Sequence, residues 1–534
     1  MTQDFRWALV CVASFLVGVV AIGWPAIAND GFPLDDSWIH QTIGRNAAQY
    51  GVPGFVSGLP SSGSSSAIWP WIIALNYRLL PSVSPVVYLL IFNSLCLLTI
   101  LATLFVLAKH DGLSAFEGVL FTCLAALTGN LVWLISTGME HLLYVALLFA
   151  ATAFWLHPRL TGYKSALAAG ALCGLALLTR PEAIALLPLF LFAGLRRGKS
   201  RNEVLAFLQT CAIATLLLAF NNLWLSHSFS LLPGTIGGRR WLVTPGSELL
   251  RPVARFARDS AVHIVRYVLG IDVGNIATAT IVALTAVVIF ASLAGLVRRS
   301  AWRICFLVAL AAANFGVYCV VLPSTGNGMR YQSITLVLVF PLVAFGLRAL
   351  VDRVTRGLAI SKKQQHICRG TVTTVIAGLA MVTLVYWNQI TDVGIKHING
   401  THVRMGQWLA QHMPAGTPVA SFDIGAVSYF SGARIIDLGG LANPEVIPYL
   451  YAKQLPAYLR ARSIRWVVLP VLPAPNTEAA PDDSCEHTLS LCTAAGLTKL
   501  KVVSFTSPFD MWNQGEQATA HAARSQWLYD VTWR

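Results

Sequence analysis

Apolar residues run almost unbroken over 8–27, 84–108, 115–135, 141–156, 165–178, 183–195, 204–224, 275–297, 304–322, 333–351 and 370–389, with polar residues gathered in the gaps. About twenty apolar residues at 1.5 Å per residue match a hydrocarbon core of about 30 Å, so the pattern predicts eleven membrane spans. The first long gap has a different period. In 34–47 the residues Leu34, Trp38, Ile39, Ile43 and Ala47 form one stripe, which predicts an amphipathic helix on the membrane surface. AIWPWIIALNYRLL (67–80) predicts a second such helix, and SGLPSSGSSS (57–66) between them reads as a flexible hinge, so the pair can roof a cavity. After 390 the pattern changes. PVASFDI (418–424), ARIIDL (433–438) and RWVVLPV (465–471) read as strands interleaved with helix-like stretches at 402–412 and 450–462. The Pro-rich 469–483 segment reads as a loop. The expected fold is therefore a polytopic α-helical membrane protein with about eleven spans and a C-terminal α/β domain. Residues 1–390 form the membrane part, with outer loops 28–83 and 225–274, and 391–534 form the soluble domain.

Composition sharpens this picture. The chain is 55% hydrophobic and 12% charged, with a mean hydropathy of +0.63, which excludes a soluble globule. Basic residues fall in alternate gaps: Lys109; Arg159 and Lys164; Arg196, Arg197, Lys199 and Arg201; Arg298, Arg299 and Arg303; and six between Arg348 and Arg369. The short loops on the other side carry only Arg180 and Arg330. The positive-inside rule then places the N-terminus in the cytoplasm and everything after the last span outside it. The net charge of +14 reads as topology and contact with anionic lipid, not as a nucleic-acid surface. Ala26-Ile27-Ala28 imitates a signal-peptidase site, but the apolar run before it is too long and is flanked by Arg6 alone, so a retained span is expected. Most of the ten cysteines lie in spans as small buried residues. Cys485 and Cys492, in the exported region, are expected to form a local disulfide, and no spacing indicates a zinc site.

Candidate chemistry lies on the predicted outer side. Asp35 and Asp36 open the first amphipathic stretch, where an Asp ordinarily caps the helix, but only one residue can do so. Adjacent carboxylates favour protonation of one of them unless a cation is near, and a carboxyl with a raised pKa is a candidate base toward a sugar hydroxyl. Ser136 to His141 and Thr179 to Glu182 gather on the same face. Glu140, His141, Arg180 and Glu182 are either substrate-binding groups or interfacial ion pairs, Arg180 with Glu140 or Glu182. LPGTIGGRRW (232–241) supplies Thr235, Arg239 and Arg240, and Arg330-Tyr331 precedes the tenth span. Arginine suits bidentate phosphate contact, the alternative being contact with bulk headgroups. His40 joins the substrate-binding candidates. Asp423, at the end of the first C-terminal strand, either faces the cavity or closes a turn.

Taken in order, LDDSWIHQTIGRNAAQYG, SSGSSSAIWPW, STGMEHLLY, LLTRPEA, LPGT, MRYQ and SFDIGAVSYFSGARIIDLGGLANPEV resemble the successive signatures of bacterial GT-C class glycosyltransferases. The sequence is similar to the mycobacterial terminal arabinofuranosyltransferases over about residues 30–446. The resemblance implies an integral enzyme of the bacterial plasma membrane that moves a sugar from a polyprenyl-phosphate donor to a cell-envelope glycan or glycolipid acceptor on the extracytoplasmic face. It implies an Asp of the first outer loop as catalytic base, here Asp35 or Asp36, with Glu140, Arg180 and Glu182 at the other matching polar positions. The chain departs from the pattern at Pro233-Gly234-Thr235 and at Ser65-Ser66-Ala67. An inverting single displacement is expected, with Arg330 or Arg180 and Arg239 on the departing phosphate. No cofactor is required; a divalent cation, if bound, would sit on Asp35 and Asp36. The rival reading is a transporter or flippase of lipid-linked sugars, which would place ionisable groups near the bilayer midplane and show paired repeats.

Overall fold

The computed structural model describes residues 3–61, 63–227, 229–243, 250–271, 275–358, 360–471, 497–507 and 525–533. Cys485 and Cys492 lie outside these described residues. The apolar runs form helices α1 (Gln3–Ala28), α4 (Pro85–His110), α5 (Ala115–Ala126), α6 (Gly129–Trp133), α7 (His141–Leu156), α8 (Tyr163–Thr179), α9 (Leu187–Arg196), α10 (Arg201–Ser226), α13 (Asn275–Arg298), α14 (Trp302–Val321), α15 (Ser333–Gly357) and α16 (Lys362–Ile398). Those of the outer gaps form α2 (Asp35–Tyr50), α3 (Trp69–Leu79), α11 (Thr235–Val243) and α12 (Leu250–His263).

Among the described residues, seven helical stretches are long and apolar enough to cross a membrane, those of α1, α4, α10, α13, α14, α15 and α16. The chain is a multi-pass membrane protein. The other predicted runs are shorter helices. The run 115–135 breaks between α5 and α6, where Gly129 lies so close to the last spanning helix that a Cβ would stand 2.4 Å from the Thr383 carbonyl oxygen. The run 183–195 becomes a 3-10 turn, Pro181–Leu186, followed by α9, because Pro181 and Pro188 withhold amide donors from a longer helix.

The two ends of the bundle are chemically distinct. Residues assigned to the basic side touch one another: Arg303 bonds Asp111 and the carbonyls of His110 and Leu156, Arg197 bonds the Leu156 carbonyl, and Arg299 bonds Glu117. At the opposite end α2 and α11 meet the C-terminal region. No linker separates the two parts at 390, since α16 runs on to Ile398 and continues through a π turn, Asn399–Val403, into α17 (Arg404–His412).

Beyond α17 come β1 (Pro418–Ser421), α18 (Gly425–Ser431), β2 (Arg434–Asp437), α19 (Ile447–Tyr451), α20 (Leu455–Ala461), β3 (Trp466–Val471), β4 (Leu497–Thr506) and β5 (Ser525–Trp533). The sheet order is β2-β1-β3-β5-β4, parallel among the first three strands and antiparallel from β3 onward. The three expected strands are present. β4 and β5 were not expected, although LTKLKVVSFT and SQWLYDVTW are rich in strand-forming residues. The expected helix at 450–462 is two short helices separated by Lys453, which stands at φ 55°.

Two expectations for the first outer loop fail. α2 is not a surface helix: Ser37 to Gly44 are all buried, because α3 covers one side and α18 another. Close packing with α3 is set by Gly44, where a Cβ would meet Ile73 at 2.3 Å. The Gly/Ser stretch is also no hinge at its end, since Ser64, Ser65 and Ser66 are buried and hydrogen-bonded.

Candidate active site

Neither aspartate caps its own helix. The N-cap of α2 is Leu34, without a side-chain bond, and Asp35 and Asp36 are the first two helical residues. Successive helical residues point about 100° apart, and the two carboxylates find different partners. Asp36 pairs with the Arg330 guanidinium. Asp35 turns to the C-terminal domain, where its two oxygens accept the backbone amides of Gly425 and Ala426, each at 2.8 Å.

Asp36 belongs to a chamber built by five segments. Arg330 lies in a 3-10 turn, Asn327–Gln332, that enters through Gly328 and Met329 in the left-handed region (φ 61° and 58°). That conformation is costly for Met329, and Asn314 of α14 braces the turn by donating to the Tyr331 carbonyl oxygen at 3.0 Å. The Arg330 guanidinium donates through Nη1 to the Met139 sulfur at 3.4 Å, while its Nε is buried without a hydrogen-bond partner. Asp36 is 27% exposed against 5% for Arg330, so the carboxylate is the accessible member of the pair. α11 brings Arg239 in from another side. Its guanidinium stands 5.8 Å from the Tyr331 ring centre, and that of Arg330 stands 5.3 Å away.

Behind this pair lies a second buried network. Arg180 donates to Glu140 at 2.8 Å, to Glu182 at 2.5 Å and to the Tyr318 hydroxyl at 2.6 Å. Tyr318 passes its own proton donor to Glu182 at 2.6 Å and stacks on Tyr331 at 5.2 Å. His141 accepts from Arg180 at 3.2 Å, which leaves its proton on Nδ1, buried without a partner. Ser65 donates to Glu140 at 3.3 Å, His40 approaches the other Glu140 oxygen at 3.7 Å, and that oxygen has no hydrogen-bond partner.

Electrostatics differs between the two aspartates. Burial alone raises the Asp36 carboxyl, but the guanidiniums of Arg330 and Arg239 outweigh it and hold the group below its ordinary value. Burial pushes Asp35 up to about 6, and the neighbouring Asp423 adds to this while His402 and the two backbone amides oppose it. The raised carboxyl expected of the pair is therefore Asp35, and burial rather than its neighbour is the main cause.

Of the expected residues, Asp36, His40, Glu140, His141, Arg180, Glu182, Arg239, Arg330 and Tyr331 converge. Asp35 and Asp423 form a separate cluster in which Asp423 meets His402 at 3.3 Å and accepts from Gln526 at 2.8 Å. Thr235 is buried at the start of α11, and Arg240 is exposed on that helix. Tyr318, Ser65, His402 and Gln526 were not expected. Tyr318 is one hydroxyl in a long apolar run, and the others carry no distinctive spacing. No group of three or more His, Cys, Asp or Glu arranged to hold a metal occurs among the described residues.

Residues 391–518 match a family model described as a domain of unknown function (DUF8728). No curated protein matches the chain. Among solved structures, the chain is similar to the Archaeoglobus fulgidus oligosaccharyltransferase tethered to an acceptor peptide, with 12% identity over 87% of this chain and 69% of that one and a TM-score of 0.54. It is also similar to the arabinofuranosyltransferase AftD from Mycobacteria, with 16% identity over 100% of this chain and 40% of that one and a TM-score of 0.51. The chain has the GT-C fold. At these identities the likeness is one of architecture.

Proposed function

We propose that this chain is an integral membrane glycosyltransferase that transfers a sugar from a polyprenyl-phosphate donor to a cell-envelope glycan or glycolipid acceptor. In this reading the N-terminus is cytoplasmic, and the Asp36 chamber and the C-terminal domain are extracytoplasmic. The observation that carries it is the Asp36–Arg330 pair. An accessible carboxylate faces a buried guanidinium with an unused Nε, with Arg239 and Tyr331 alongside. A carboxylate beside an anion site is the pairing that glycosyl transfer from a phosphate requires. The fold shared with two transferases supports the class.

The donor phosphate binds Arg330 and Arg239 and replaces the carboxylate as partner of Arg330. Asp36, a poor base while paired, is then free to take the proton of an acceptor hydroxyl. That oxygen forms a bond to the anomeric carbon while the bond from that carbon to the phosphate oxygen breaks. The electron pair leaves with the polyprenyl phosphate, whose growing charge the arginines stabilise. A single in-line displacement inverts the anomeric centre. The unpartnered oxygen of Glu140, with His40, is placed to receive a sugar hydroxyl.

The donor set does not fit a divalent cation. Asp36 faces two guanidiniums, and both oxygens of Asp35 accept backbone amides.

The test is transfer from radiolabelled polyprenyl-phosphate sugars by purified protein in lipid nanodiscs, wild type against Asp36→Asn. The reading expects a wild-type product with inverted anomeric configuration and transfer slowed by about 10²- to 10⁴-fold in the variant. Wild type that consumes no donor with any acceptor, or a product with retained configuration, contradicts it.

A further inference from the structure

Asp35 stands beside the proposed base yet takes no part in the chamber, and its partners lie 390 and 391 residues away. We propose that Asp35 is a positioning residue: with Gly425 it forms a latch that clamps the C-terminal domain onto α2 and so aims Asp36. This inference rests on Asp36 being the base.

Three observations carry it. Gly425 and Ala426 are the first two residues of α18, whose N-cap Ile424 offers no side-chain oxygen. The first amides of a helix need an acceptor, and Asp35 supplies one from another part of the chain, two oxygens for two donors. The fit leaves no room for a side chain at residue 425, where a Cβ would stand 2.0 Å from the Asp35 carbonyl oxygen and 2.8 Å from its carboxyl. The contact also continues along α2. Trp38 packs on Tyr429 and Phe430 at 4.8 Å each, and Arg45 donates to the Tyr429 carbonyl oxygen at 3.1 Å with its guanidinium 4.3 Å over that ring. One end of α2 is thus held by charge and its middle by aromatic contact. Asp36 is the residue next to the charged end.

A clamp of this kind acts through geometry, and a displacement of about 1 Å at a reacting group can cost about a hundredfold in rate. The experiment uses the full chain in nanodiscs with Asp35→Asn and Gly425→Ala, which attack the latch from its two sides. Asn keeps one acceptor but presents an NH2 group to the second amide; Ala adds the methyl that the contact cannot hold. Hydrogen exchange of 425–431 is measured together with kcat, the donor KM and the pH profile. The expected result is faster exchange at 425–431 in both variants and a fall in kcat of about ten- to a hundredfold. The donor KM and the acid limb of the pH profile stay unchanged, and the double variant is no slower than the slower single one. The proposal is overturned if Asp35→Asn abolishes transfer while exchange at 425–431 stays as in wild type, or if Gly425→Ala transfers at the wild-type rate despite faster exchange. Absence of transfer by wild type would instead strike the functional reading, and the exchange data would still report the latch.

Discussion

Two arginine–carboxylate pairs with buried guanidiniums stand at opposite ends of the helix bundle, and they are finished differently. At the basic end, Arg303 bonds Asp111 at 2.9 Å and two backbone carbonyls, while the second Asp111 oxygen accepts the Ile304 amide at 2.8 Å. At the other end, Arg330 keeps a buried Nε without a partner, Glu140 a free oxygen, His141 a free Nδ1 and Gln332 a free Nε2. Buried polar atoms are nearly always satisfied in folded proteins, and an unmet one costs about 1–3 kcal/mol. The satisfied pair therefore reads as a clamp that joins α4, α7 and α14. Unmet groups also occur elsewhere, at Asn93 and Asn130, but those around Arg330 stand beside an accessible carboxylate, which is why the proposed ligand is placed there.

Neutralising one member of each pair should give opposite phenotypes. Asp36→Asn removes the proposed base and should lower kcat by about 10²- to 10⁴-fold in the transfer assay with little loss of thermal stability. Arg303→Met leaves Asp111 buried and unpaired. It should destabilise the protein by about 3–5 kcal/mol, seen as a lower unfolding temperature in detergent, while the remaining folded molecules transfer at the wild-type rate. If the two variants exchange these phenotypes, the division into clamp and site is wrong.

Asp437 sharpens the comparison on the clamp side. It is fully buried, and its oxygens accept the amides of Gly439 at 2.7 Å and Ala442 at 2.6 Å. Burial still pushes its carboxyl up to about 6 against those bonds. Between about pH 4 and 6 the folded domain therefore holds a proton that the unfolded chain has released. Stability from this group falls as the pH rises through that window and is flat above it, a difference of about 3 kcal/mol at one pKa unit per 1.36 kcal/mol. Thermal unfolding between pH 4 and 7 should show this slope in wild type and a shallower one in Asp437→Asn.

The smallest effect belongs to Ser65, whose hydroxyl donates to Glu140 at 3.3 Å beside the unmet oxygen. Ser65→Ala should raise the KM of donor or acceptor by about tenfold or less and leave kcat within about twofold, since a bond this long to the carboxylate keeps to the about 0.5–1.5 kcal/mol of an ordinary hydrogen bond.

Much of this was legible in the sequence. Apolar runs mark the helices, and polar motifs at their ends name the chamber residues, because a charge at the edge of a membrane span needs a reason to be there. The division of labour between Asp35 and Asp36 was not legible, since their partners, Gly425 and Arg330, lie hundreds of residues away and only tertiary packing brings them in. The burial of α2 escaped for a related reason. Its stripe of Trp38, Ile39, Ile43 and Ala47 is what a surface helix shows, and nothing local reveals that the polar side is covered as well, with Ser37 donating to the Thr137 carbonyl oxygen and Gln41 accepting from the Tyr77 hydroxyl. Ser64 to Ser66 read as a hinge by composition, yet Glu140 and the Leu178 carbonyl hold them. β4 and β5 carry a strand pattern but follow a long interval, so the pairing of β5 with β3, and of β4 with β5, had no local signal.

In the proposed function the groups around Arg330 form an anion site for a lipid phosphate. The measurement that tests it most directly is the affinity of unglycosylated polyprenyl phosphate for purified protein in nanodiscs, compared among wild type, Arg330→Gln and Arg303→Gln. Charge-assisted hydrogen bonds contribute about 1.5–3 kcal/mol, so Arg330→Gln should weaken binding by about ten- to a hundredfold, with the folded fraction of Arg303→Gln binding as wild type does. Equal affinity in wild type and Arg330→Gln would mean that Arg330 does not bind the phosphate.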